Sequence, residues 1–236
     1  TDTRCVDSVL VLLLGSRSIL YYMRVEPHGV GTVLHCIQRG ARGMEIVRDL
    51  SDRERFARSL FMLNDEFQYS KWLRDTVGLP PFERPASWPA RKPLVRVLGW
   101  TLMRNHFHLL LQEIAEGGAA KFMQRLCGSM SLSFNKKYGG CGTIFQSGYK
   151  GVAVKDNMQL QYLVFYILVK NVFELSPGGL AAATKDFNRA WQWSLQHRFS
   201  SLRTCALGEI SPIVNDDEKL LVDLCHNPQR FKADAK

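Results

Sequence analysis

Two histidines separated by one residue, His106-Phe107-His108, are the sharpest chemical signal in the chain. They lie in an apolar run that reads as a β-strand, where side chains at i and i+2 leave the same face. Both imidazoles then project together from a rigid element, placed to hold one divalent cation, while Phe107 turns the other way to pack beneath helices. The same spacing also suits two histidines on a polar strand face. Spacing alone does not separate the two readings.

The elements that must position this pair follow from the hydrophobic pattern. Residues 33–38 are β-prone and end at Arg39-Gly40. Ser51-Asp52-Arg53-Glu54 has the form of a capping box, and Phe56, Leu60, Phe61 and Leu63 follow at helical spacing, which predicts a helix over 52–64. Five prolines interrupt residues 65–93, which read as an ordered loop or insertion. Residues 94–103 and 106–112 read as strands joined by Arg104-Asn105, a two-residue connection that implies an antiparallel hairpin. A helix over 119–138, a strand near 143–154 and an apolar helix over 158–173 complete the order. That order, β-α-β-β-α-β plus one helix, matches an α+β, ferredoxin-like antiparallel sheet with helices on one face and a helical C-terminal tail. Residues 1–22 read as an extension before a start at Met23, residues 23–180 as the main domain and residues 181–236 as a helical C-terminal region.

With 31 Lys and Arg against 22 Asp and Glu, the chain carries a net charge of +9 and suits a polyanionic partner. Arg39, Lys136, Lys137 and Lys150 are candidate phosphate-backbone contacts. Each also reads as a solvated surface charge, and Lys136 and Lys137 would in any case favour a helix C-terminus. The six cysteines form no CxxC pair, which argues against a zinc knuckle; reduced thiols in a cytoplasmic protein are the simpler reading. The apolar run at residues 9–14 is too short to span a bilayer, so no membrane role is expected. Trp88, Trp191 and Trp193 read as base-stacking or packing residues.

The segments LGWTLMRNHFHLLLQ, KFMQRLCGSMSLSFNKKYGGCGTIFQSGYK and YLVFYILVKN occur in the order of their counterparts in the HUH-type single-tyrosine transposases. The chain most resembles the REP-associated branch of that family, over about residues 24–235. The resemblance implies that His106 and His108 ligate a metal, Mg2+ or Mn2+. It also implies that Tyr166 is the nucleophile, with Tyr162, one helical turn away, as its rival. A phenol with its ordinary pKa near 10 is a poor nucleophile at neutral pH, so a metal must polarise the scissile phosphate. Attack would give a 5′-phosphotyrosine linkage and a free 3′-hydroxyl, and the reverse reaction would rejoin strands of single-stranded, hairpin-bearing repeat DNA. Asn135 matches the family's helix, in the second of these segments, as a structural residue or polar contact. Related enzymes act as homodimers or monomers, in a bacterial-type cytoplasm and on the nucleoid when bound to DNA.

The sequence departs from the family pattern at named positions. Arg104 replaces a proline, and Gly148 stands where an arginine is usual. Lys170 occupies the position, four residues after Tyr166, where an amide normally completes the metal site. A protonated lysine cannot ligate a cation. Asn171 is adjacent, but on a regular helix one residue is a rotation of about 100°. The alternative reading is therefore a repurposed domain that binds structured DNA without cutting it.

Overall fold

The computed structural model describes residues 28–216, 219–221, 225 and 227–236; the expected extension over residues 1–22 lies outside the described residues. Strand β1 (Val33–Arg39) leads to helix α1 (Leu50–Met62) and a short helix α2 (Trp72–Asp75). The hairpin β2 (Val95–Leu102) and β3 (His106–Glu113) follows, then helix α3 (Gly118–Tyr138) and strand β4 (Lys150–Ala153). The sheet order is β2-β3-β1-β4 and every neighbouring pair is antiparallel. This is the expected ferredoxin-like α+β arrangement.

Strand alternation divides the core in two. Leu34, Cys36, Phe107, Leu109 and Leu111 leave one face and pack with Phe56 and Leu60 of α1 and Phe122 and Leu126 of α3. The other face carries His35, Ile37 and Arg39 of β1, with His108 in register with Ile37 and His106 with Arg39. It is not bare, as helices on one face alone would leave it. A long apolar helix lies across it, running as α4 (Asn157–Phe165), a π-turn (Tyr166–Lys170) and α5 (Asn171–Leu175). Helices α6 (Gly179–Lys185), α7 (Phe187–Gln196), α8 (Leu202–Leu207) and α9 (Pro228–Asp234) complete this layer. Leu98, Leu110, Val164, Ile167, Leu168, Trp191 and Phe231 form its core. Trp191 is thus a packing residue.

Several local readings change. Helix α1 begins two residues earlier than the expected start at 52: Asp49 is the cap, its carboxylate accepting from the Asp52 amide at 3.0 Å, and Asp52 reciprocates. The box therefore runs from Asp49 to Asp52, and Lys137 binds Asp49, Ser51 and Asp52 together. Only residues 150–153 of the expected strand over 143–154 pair along β1; Ile144 and Phe145 are buried in the first core, and Phe145 makes an isolated bridge to Gly40. Glycines at 139, 140, 142 and 148 break the preceding stretch.

The proline-rich residues 65–93 are ordered. Buried Asn64 accepts from the Leu94 and Val95 amides and donates to the Val95 carbonyl, tying the insertion to the start of β2. Asp65 pairs with Arg84 at 2.6 Å, and Tyr69 stacks on Trp88. The reading of all six thiols as reduced is corrected: Cys205 and Cys225, 20 residues apart in sequence, form a disulfide. Scattered spacing could not show this, because the pairing depends on how the C-terminal chain folds back beside α8.

Candidate active site

Three features bring the long helix close to the sheet at the histidine pair. Gly99 lies against the helix, with Leu168 Cδ2 3.5 Å from where a Cβ would stand. An irregularity between Val97 and Gly99 turns Leu98 into the second core. Thr101, directly opposite His108 in register, donates from its hydroxyl to the Ile167 carbonyl at 2.6 Å.

That last bond accounts for the π-turn. In a regular α-helix the Ile167 carbonyl would accept from the Asn171 amide four residues on. Here Thr101 takes the carbonyl, and the Asn171 amide bonds to Tyr166 instead, five residues back. The phase of the helix shifts by one residue. The expectation of a regular helix, with Asn171 rotated about 100° out of place, is therefore corrected. Asn171 is turned inward and only 1 % exposed, with its Nδ2 lacking a partner among the described residues. Lys170 reaches outward, its side chain 36 % exposed and paired with Glu174 at 2.5 Å.

The His and Tyr side chains converge. His106 and His108 rings lie 5.0 Å apart, centre to centre. Tyr166 meets His108 edge-on at 5.5 Å and His35 at 6.1 Å, while Tyr162 stacks on its outer side at 6.0 Å. The Lys170 ammonium is 4.9 Å from the Tyr166 ring centre. Sequence reasoning missed His35. It lies two residues before Ile37 on the face that holds His108, and its Nε2 is 2.9 Å from His108 Nδ1. The alternation His35-Ile37-Arg39 was the available signal, because it puts His35 and Arg39 on one face once residues 33–38 are read as a strand.

Protonation fits metal ligation. Burial, and then Lys150, hold the His35 pKa down to about 4. Burial, then His35, His106, Lys170 and Arg39, push His108 well below the ordinary value. Both rings are neutral at pH 7, the form that binds a cation. His106 Nδ1 is 2.7 Å from Asn105 Oδ1, an acceptor, so Nδ1 carries the proton of that hydrogen bond. Two imidazoles held at Nδ1 on one strand face are donors of a kind that a divalent cation takes.

The candidate basic residues divide. Arg39 is exposed directly across from His106, and Lys150 lies across from Ile37, so both share the face of the histidine–tyrosine cluster. Asn135, Lys136 and Lys137 lie on α3, which packs against the opposite face. There Asn135 donates to the Gly142 carbonyl and secures the glycine loop, and the Lys137 ammonium is occupied at the start of α1. Lys136 is exposed. Trp88 packs within the insertion, and Trp193 stacks on His197.

Residues 89–169 match the model of a family described as "Transposase IS200 like". The match spans β2, β3, α3 and β4 and includes His106, His108 and Tyr166. A solved structure of a REP-associated tyrosine transposase bound to a REP hairpin is similar at 13 % identity, covering 86 % of this chain and 93 % of that one with a TM-score of 0.39. No curated protein matches the chain.

Proposed function

We propose that this chain cuts and rejoins single-stranded, hairpin-bearing DNA through a 5′-phosphotyrosine intermediate on Tyr166. The observation that carries the reading is the placement of Tyr166 edge-on to His108, on the sheet face that also presents His106 and Arg39. His106 and His108 would hold Mg2+ or Mn2+ with the Asn171 amide as third donor. When bound, such an ion polarises the scissile phosphate and stabilises the leaving 3′-oxygen.

The chain's own residues supply the rest. Arg39 and Lys150 meet the phosphate backbone beside the site. The Tyr166 hydroxyl oxygen attacks phosphorus, losing its proton as the bond to the 3′-oxygen breaks and that oxygen gains one. His35 acts through His108: accepting from His108 Nδ1–H leaves the His108 Nε2 lone pair for the ion. The step reverses without ATP because the phosphodiester energy is kept in the tyrosine link.

Lys170 beside Tyr166 favours the second reading, a binding module that no longer cuts. One assay separates them: labelled hairpin DNA from sequence flanking the gene, incubated with Mn2+ or Mg2+ and resolved on a denaturing gel. A metal-dependent slow band, absent in Tyr166→Phe and His106→Ala, is the expected result. Loss only in Tyr162→Phe would move the nucleophile one turn. Tight hairpin binding with no adduct under either metal would establish the non-cutting module.

A further inference from the structure

A second feature lies on the other side of the sheet. The insertion and the outer surface of α3 enclose a groove of about 610 Å3. Along α3, Lys121, Arg125, Gly128 and Leu132 are spaced by four, three and four, so they form one stripe along the groove, about 16 Å long at the helical rise.

Gly128 is the informative residue. It lies in the interior of α3, where glycine costs about 0.5–1 kcal/mol relative to alanine. The fold needs some of its other glycines: a Cβ on Gly118 would strike the Leu94 carbonyl and one on Gly40 the Met44 carbonyl. A Cβ on Gly128 would meet nothing within 4 Å. Among the described residues nothing packs where the side chain would stand, so the helix backbone is bare towards the groove.

The lining says what that is. Lys71, Lys121 and Arg125 border it, and none of its lining residues is acidic. Arg125 is held in place by the backbone carbonyls of Asp65 and Glu66. Phe67 is 55 % exposed at the end of an aromatic tier in which it tilts on Tyr69, and Tyr69 stacks on Trp88. Leu132, at the far end, is 74 % exposed. Cations beside an exposed aromatic ring and a bare helix suit phosphates with splayed, unpaired bases. Duplex DNA would present only its backbone and leave Phe67 and Leu132 uncovered.

We infer that this groove binds an unpaired segment of the DNA substrate, with phosphates at Lys71, Lys121 and Arg125, the strand seated over Gly128 and a base on Phe67. The inference rests on the proposed DNA-processing function, at a separate place on the molecule. The test is fluorescence anisotropy of the full chain with a labelled hairpin, bare or carrying a single-stranded extension, across a salt series.

Gly128→Gln should weaken binding of the extended DNA at least about fivefold without lowering Tm, because glutamine suits a helix better than glycine. Phe67→Ala should weaken it roughly 5- to 150-fold. The Lys71→Gln, Lys121→Gln double variant should lower the salt slope by about 1.4, at about 0.7 per phosphate contact. All three should bind the bare hairpin, and form its adduct, as the natural chain does. Binding of the extended DNA within twofold of natural by every variant overturns the inference while leaving the proposed function intact. Equal weakening with bare hairpin overturns the choice of an unpaired occupant. A natural chain that binds neither DNA overturns both readings.

Discussion

Replacing His35 tests whether the buried histidine pair is a functional device or only packing. His35 and His108 are both almost fully buried, and their 2.9 Å contact is the side-chain hydrogen bond found for His108 among the described residues. His35→Leu keeps the apolar volume but removes the acceptor. His108 Nδ1–H then has no partner, at a cost of about 1–3 kcal/mol for a buried donor, or the ring changes tautomer and withdraws Nε2 from the ion. Loss of such a supporting group commonly weakens a metal site about 10- to 100-fold, or about 1.4–2.7 kcal/mol. Mn2+ affinity by calorimetry should fall within that range, and adduct formation should need correspondingly more metal. His35→Gln, whose amide oxygen can accept the same proton, should recover most of the affinity. Nitrogen chemical shifts of His108 in the metal-free protein should show the proton on Nδ1 in the natural chain. A folded His35→Leu that binds Mn2+ within twofold of natural refutes the reasoning, as does a His108 already protonated on Nε2.

Further predictions concern the surroundings of the site. Thr101→Val removes the hydroxyl that holds the Ile167 carbonyl; the helix should return toward α phase, swing Lys170 inward, and lose Mn2+ affinity by at least tenfold, with backbone carbon shifts over 166–171 reporting the change. Asn171→Ala should weaken Mn2+ similarly but leave those shifts in place. Asn64→Ala strands two buried amides at the start of β2 and should destabilise the fold by about 2–4 kcal/mol in urea unfolding. His197 is held down to about 4 by burial first and then by Arg53, and its buried Nε2 has no partner among the described residues. Its pKa is lower folded than unfolded, so its contribution is complete above about 6.5 and is lost as pH falls toward 4. His197→Leu should flatten the stability curve in that window by up to about 1.4 kcal/mol per pH unit; an unchanged slope would mean that His197 titrates normally.

How much of this was legible in the sequence follows from the range over which each feature is decided. The hairpin was, because Arg104-Asn105 and the flanking alternation are local, and the same alternation put His106 and His108 on one face. The start of α1 was misplaced because Ser51 and Glu54 satisfy a local rule as well as Asp49 and Asp52 do. Lys137, 85 residues after Asp52, reinforces the latter pair. His35 escaped notice for a similar reason: a lone histidine in an apolar strand is ordinary until a second strand brings His108 beside it.

The π-turn was the least accessible feature and has the largest consequence. Read along a regular helix, Lys170 stands where a ligand is needed, and the site looks broken. Whether the helix is regular is decided by Thr101, a residue on another element whose hydroxyl competes for one carbonyl. That competition advances the helix by one residue, delivers the Asn171 amide to the buried side and leaves Lys170 paired with Glu174 at the edge. Sequence spacing assumes the ladder of hydrogen bonds that defines it. Where a neighbouring strand breaks into that ladder, a position that reads as a lost ligand can be a displaced one, and the residue to examine is the next along the chain.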